Sequence, residues 1–250
     1  MHNRPHSRFP ELDLLRGLSI IAMVLYHAFW DLYYFDLASW DIFPFSPQIM
    51  AQIIGSSFLL IIGMCLSISY ARTIRAIGFK GIWKKFIIRG CKLLSWGAVI
   101  TLVVYFALDE YILFGILHLI GVCILLSPLF LPRPNAALAV GVAVITADYL
   151  LTNLSVRSLF LLPFGLGRIT IPMVDYYPLF PWFGVVLIGI WLGSVCYPHG
   201  ERRFPVLALE SINKLPGTQF VRFLGRHSLI VYLIHQPIVF GLVYLIHTLV

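Results

Sequence analysis

Charge is scarce in this chain, and acid is scarcest. Charged residues make up 12% of 250, with 18 Lys and Arg against 11 Asp and Glu. Hydrophobic residues make up 60% and mean hydropathy is +0.90, far above the usage of soluble globular domains. So little polar sequence leaves no room for a separate soluble domain. Cysteine is also sparse. Cys65, Cys91, Cys123 and Cys196 lie within or at the ends of apolar runs and form no CxxC pair. That suggests neither a disulfide framework nor a zinc site and leaves them as small apolar fillers. No internal repeat is visible, which removes a common mark of secondary transporters. No low-complexity tract occurs. A cleavable leader is excluded as well: the first apolar run is too long, carries Arg16, His27 and Asp31, and lacks a small-x-small cleavage site.

What is present is a series of apolar runs, each near the 20 residues or so that a membrane span needs. They cover 12–34, 49–71, 86–107, 111–131, 136–152, 179–197 and 227–249. The expectation is an all-α fold: a polytopic membrane helix bundle of about seven transmembrane helices, forming one integral membrane domain over residues 1–250. The patch Leu159 to Leu166 is too short to cross. Its Pro163 and flanking glycines suggest a re-entrant or interfacial piece.

The net charge of +7 does not call for a nucleic-acid partner, because its distribution follows the spans. With seven crossings, Arg4, Arg8 and Arg16 share a side with the cluster Arg72, Arg75, Lys80, Lys84, Lys85, Arg89 and Lys92. Arg133, Arg202, Arg203, Lys214, Arg222 and Arg226 join them. Only Arg157 and Arg168 fall opposite, beside Asp36, Asp41, Asp109, Glu110 and Asp175. By the positive-inside rule the N-terminus is expected to be cytoplasmic and the C-terminus external. A bacterial-type plasma membrane is the expected location. The 72–92 cluster favours anionic lipid headgroups. No feature of the sequence fixes an oligomeric state.

One stripe of the first run is polar. Arg16 and His27 are eleven residues apart, about three helical turns, so they share a face roughly 16 Å apart along the axis. Asp13 and Asp31 fall within about 60° of that face. Ionisable groups at membrane depth are expensive and usually face a protein interior or a water-filled path. The alternative is a polar seam that only joins helices. Later runs add His118 and the pair His235-Gln236 before Pro237. Histidine suits acid–base work near neutral pH, and a lone one is as often a packing residue. The histidines have no local ligand spacing and no accompanying carboxylate pattern, so no metal is expected. Asp175-Tyr176-Tyr177-Pro178-Leu179-Phe180-Pro181-Trp182 sets a carboxylate beside rings, as a sugar-facing surface or an interfacial belt would. Gly184, Gly189 and Gly193 suit close helix contacts.

Glu11-Leu12-Asp13-Leu14-Leu15-Arg16-Gly17-Leu18, followed by Met23 and His27, resembles the first helix of membrane acyltransferases, and the Arg-to-His spacing is similar to that of the acyltransferase-3 family. The segments Phe114 to Gly121, Asp175 to Gly184 and Leu224 to Pro237 resemble bacterial relatives of the heparan-α-glucosaminide N-acetyltransferase catalytic domain. The heparan enzymes carry a histidine just before an Ala-Ser-Trp sequence in the first external loop. Here Leu37 precedes Ala38-Ser39-Trp40, and residues 36–47 contain no histidine. An acetyl-histidine there does not carry over. His27 is the natural substitute, which points to direct transfer.

The resemblance implies an acyltransferase that takes an acetyl or short acyl group from cytoplasmic acyl-CoA to a hydroxyl or amine of an extracytoplasmic glycan or lipid-linked sugar. In that reading His27, Asp31 and His118 are catalytic. Arg16 and Asp13 hold the donor, and Asp175, Trp182, His235 and Gln236 contact the acceptor. The competing reading is a proton-coupled transporter using the same Arg, Asp and His file.

Overall fold

The computed structural model describes residues 8–151, 158–166, 173–205 and 215–249. Arg4, Arg157, Arg168 and Lys214, used above to assign topology, lie outside the described residues. Among those described, regular structure is helical, with one isolated parallel bridge between Phe114 and Tyr176. The α-helices are α1 (Pro10–Tyr34), α2 (Pro47–Ile77), α3 (Lys80–Leu108), α4 (Ile116–Leu126), α5 (Pro134–Leu151), α6 (Leu179–Cys196), α7 (Thr218–Arg226) and α8 (Ser228–Leu249). The expected all-α membrane bundle is therefore present.

Five of these helices, α1, α2, α3, α6 and α8, are long and apolar enough to cross a membrane. Two further apolar helices, Ile116–Leu129 and Pro134–Leu150, are shorter. The fourth expected span differs from the sequence reading for a local reason. Residues 111–115 are not helical: Val174 N–H donates to Tyr111 O (3.2 Å) and Tyr177 N–H to Phe114 O (2.9 Å). Helix begins only at Ile116. The apolar patch before Gly165 forms a 3-10 helix, Leu159–Phe164.

Helix ends follow ordinary chemistry. Proline opens α1, and Glu11 and Asp13 lie in its first turn, where carboxylates complement the helix dipole. Asp36 and Asp109, with φ of 57° and 54°, turn the chain just beyond α1 and at the end of α3. Aspartate tolerates that left-handed region better than most side chains.

The chain divides into two compact units, residues 1–58 with 204–250, and residues 59–203. In the first, α1 packs on α7 and α8. Gly17 and Gly225 make this close: a Cβ on Gly17 would overlap the Val221 carbonyl, and one on Gly225 the Asp13 carbonyl. In the second, α3 packs on α4 and α5 on α6. Gly90 faces Gly121, Gly141 faces Gly184, Gly189 faces Gly63, and Gly193 lies on the Met64 backbone. These are the close contacts the α6 glycines suggested. Without a strong hydrophobic drive between helices in lipid, such backbone approach supplies much of the packing. The α3 cluster is tied down by Arg89 to Ser69 (3.1 Å) and Lys85 to Thr73, while Arg75 pairs with Glu201 (2.8 Å).

Candidate functional site between α1 and α8

The polar stripe of α1 meets polar partners from α7 and α8, all within the first unit. At its centre His27 faces His235. Their ring centroids are 4.9 Å apart at 63°, and His235 Nε2 is 3.4 Å from His27 Nδ1. The neighbouring carbonyls assign the tautomers by inference. His235 Nδ1 is 2.7 Å from Tyr232 O, a geometry only an N–H donor can use, so its Nε2 carries the lone pair. His27 Nδ1 is 2.9 Å from Met23 O and so also bears hydrogen, shared toward His235 Nε2. That leaves His27 Nε2 with a lone pair that is not engaged between the two rings. Tyr26 packs edge-on against the His27 ring at 5.4 Å, and Trp30 and Trp40 extend the aromatic wall.

One turn further, Gln236 Nε2 donates to Asp31 Oδ1 (3.0 Å) and Oδ2 (3.3 Å). Asp31 is only 2% exposed, and Gln236 Oε1 is buried with no donor among the described residues. His27 with His235, and Asp31 with Gln236, thus form two rungs between α1 and α8. The neighbouring positions 235 and 236 reach residues one α1 turn apart. The sequence places Asp31 among the catalytic candidates, one turn beyond His27 on the same face. Its partner here is Gln236, and His235 and Met23 O hold the His27 ring.

At the other end of the stripe, Asp13 is 4% exposed and accepts from Arg226 Nε at 3.0 Å. Arg16 Nη1 lies 3.7 Å from its other oxygen. Arg226 has no counterpart in the sequence reading of the site, where it counted only toward the charge asymmetry. Its place in Leu224-Gly225-Arg226-His227 was the available signal.

The remaining sequence candidates belong to the second unit, residues 59–203, and work locally there. His118 Nδ1 accepts from the Gly115 N–H at 3.3 Å, its ring stacks on Phe114, and Gly97 of α3 leaves room for it. Asp175 Oδ2 accepts from the Ile116 N–H at 3.0 Å. Together they satisfy two of the first free amides of α4, the work of an N-cap. Trp182 packs on Tyr177 with centroids 4.9 Å apart. Tyr176 donates to Leu162 O at 2.8 Å, and burial followed by the nearby Asp148 carboxylate pushes its phenol up to about 12. Among the described residues no group of three or more His, Cys, Asp or Glu is placed to hold a metal ion.

Apolar helices of spanning length, with buried carboxylate and imidazole rungs between two of them, define a helical membrane protein with a buried polar site. The chain belongs to the family described as heparan-alpha-glucosaminide N-acetyltransferase, catalytic, whose model matches residues 8–237. That family is of acetyltransferase type. No curated protein and no solved structure matches the chain.

Proposed function

We propose that this protein transfers an acetyl group from acetyl-CoA, or a short acyl group from the matching thioester, to a hydroxyl or amine of a glycan or lipid-linked sugar. The donor approaches from the cytoplasmic side of the plasma membrane and the acceptor from the outer side, with the N-terminus cytoplasmic. The observation that carries this reading is the His27–His235 pair. It presents an oriented imidazole with a free Nε2 lone pair in a largely apolar bundle, on a chain of an acetyltransferase family.

In this mechanism Arg16, braced by Asp13, holds the donor's phosphates at one end of the α1 stripe, where a guanidinium fork suits phosphate oxygens. The thioester arm extends along the stripe toward His27. His27 Nε2 takes the proton of the acceptor O–H or N–H as that oxygen or nitrogen attacks the thioester carbon. The new O–C or N–C bond forms, the C–S bond breaks, and the imidazolium returns its proton to the departing sulfur. His235 orients His27 by accepting its Nδ1–H, the work an orienting group performs in catalytic triads. Gln236, held in place by Asp31, contacts the acceptor beside the base. Direct transfer fits the absence of histidine from residues 36–47.

The test is free CoA release by the purified protein in nanodiscs, with acetyl-CoA and an envelope-glycan extract as acceptor. Release by wild type, lost in folded Arg16→Ala and His27→Ala variants, is the expected result. No release and no binding of any acyl-CoA would overturn the proposal and favour a carrier using the same polar file.

A further inference from the structure

We infer that Arg222, together with Arg226 and Arg16, forms a phosphate-binding clamp along the edge where α7 meets α1. The inference deepens the donor-binding part of the proposed function. It rests on that reading for the ligand's identity, though not for its charge.

The placement follows from the close approach of the two helices. Val221 and Gly225 form the α7 face against α1, and Thr218 is buried beside them. At 100° per residue, Arg222 and Arg226 fall within about 40° of each other, on the edge between that seam and the exposed Phe220 and Phe223. They are one turn apart, so their side chains are neighbours. Arg226 Nε reaches Asp13 Oδ2 at 3.0 Å, and Arg16 Nη1 reaches Asp13 Oδ1 at 3.7 Å. One carboxylate is therefore shared by two guanidinium groups while a third stands one turn away.

Among the described residues the third arginine is the one without an acceptor. Arg222 is half-buried, and its Nε is buried with no hydrogen-bond partner among the described residues. A buried N–H on a permanently charged group is costly to leave unpaired. Like charges one turn apart on a helix also repel. Both penalties vanish when a polyanion with several acceptor oxygens bridges the guanidinium groups. Phosphate is the group that matches, because arginine forks pair its oxygens two at a time. The exposed Phe220 and Phe223 give α7 the character of an interfacial amphipathic helix, which sets the clamp at headgroup level. A phosphate there comes either from a soluble phosphoanhydride, such as the nucleotide end of a CoA thioester, or from an anionic lipid headgroup.

The experiment uses the full chain in nanodiscs and measures binding without turnover. Titration with CoA and with inorganic pyrophosphate, in phosphatidylcholine discs, tests the soluble source. The melting temperature in discs with and without phosphatidylglycerol tests the lipid source. The expected result is that Arg222→Gln weakens CoA and pyrophosphate binding by roughly tenfold or more, with Arg222→Lys intermediate. If the occupant is lipid, phosphatidylglycerol raises the wild-type melting temperature and the rise is lost in Arg222→Gln. Either pattern supports the clamp. Unchanged CoA and pyrophosphate binding and an unchanged phosphatidylglycerol response in Arg222→Gln overturn it. Should Arg222→Gln fold poorly, Arg222→Lys binding as tightly as wild type is the overturning result. Wild type that binds CoA through Arg222 but releases none with acceptor would keep the clamp and remove the transfer reading.

Discussion

Gln236 holds Asp31 through one amide group, 3.0 and 3.3 Å from the two carboxylate oxygens, and no other hydrogen bond reaches that carboxylate among the described residues. A carboxylate at 2% exposure with a single neutral donor depends on that donor. Gln236→Leu should therefore destabilise the protein by about 1–3 kcal/mol, the range for stranding a buried polar group. Asp31→Asn keeps an acceptor oxygen for Gln236 and should cost less. Thermal unfolding of the two variants in the same detergent checks the order. A Gln236→Leu protein as stable as wild type would mean that Asp31 draws on another partner.

The imidazole pair makes a separate prediction about rate. If His27 is the proposed base, His27→Ala should lower turnover by about 10²–10⁴-fold. His235→Ala leaves the base in place but frees its ring, so the loss should be smaller and should come with an altered pH–rate profile. His235→Gln supplies an acceptor oxygen for His27 Nδ1–H and should recover part of the rate. Steady-state kinetics across pH separates these cases. Equal rates in His235→Ala and His235→Gln, with an unshifted profile, would reduce His235 to a packing residue.

The sequence reveals much of the fold and half of the site, and the division has a physical cause. Apolar runs and their proline and glycine boundaries are local signals, and they locate the helices to within a few residues, α2 and α3 extending furthest beyond their apolar runs. The fourth run differs at its start because residues 111–115 are apolar yet not helical. Contacts from 174 and 177, distant in sequence, hold them. The α1 stripe was legible from the 100° geometry of a helix. Its partners were not. Nothing local says that positions 235 and 236 face 27 and 31, or that Arg226 rather than Arg16 makes the tighter contact with Asp13. Asp175 and His118 show the reverse case: polar residues that attract a functional reading also accept the amides that open α4.

The α1–α7 seam predicts which glycines tolerate a methyl group. Gly17 and Gly225 each lie against backbone of the facing helix, so Gly17→Ala and Gly225→Ala must push α7 away. Overpacking of this kind costs about 1–3 kcal/mol. Gly241 of α8 has no neighbour near its would-be Cβ, and Gly241→Ala should be neutral or mildly stabilising. Because Arg226 and Arg222 ride on α7, the seam variants should also weaken CoA binding, whereas Gly241→Ala should not. Melting temperatures and CoA titrations of the three variants give the comparison. A Gly225→Ala protein with wild-type stability would show that the two helices yield easily.

Asp175 offers the sharpest contrast between a structural and a substrate role. Its Oδ2 accepts the Ile116 N–H at the start of α4, where the turn has no intrahelical partners of its own. Losing such a cap costs about 0.5–2 kcal/mol. Asp175→Ala should lower stability by that amount, and Asp175→Asn, which keeps an acceptor oxygen, should recover most of it. If the carboxylate serves only the helix, the acceptor KM is unchanged in both variants and any lost activity tracks the lost folded protein. If it also binds the acceptor, Asp175→Asn restores stability while KM stays raised. Melting curves and acceptor titrations on the same preparations distinguish the outcomes. The expected outcome is an unchanged KM, with Asp175 Oδ2 serving the Ile116 amide at the start of α4.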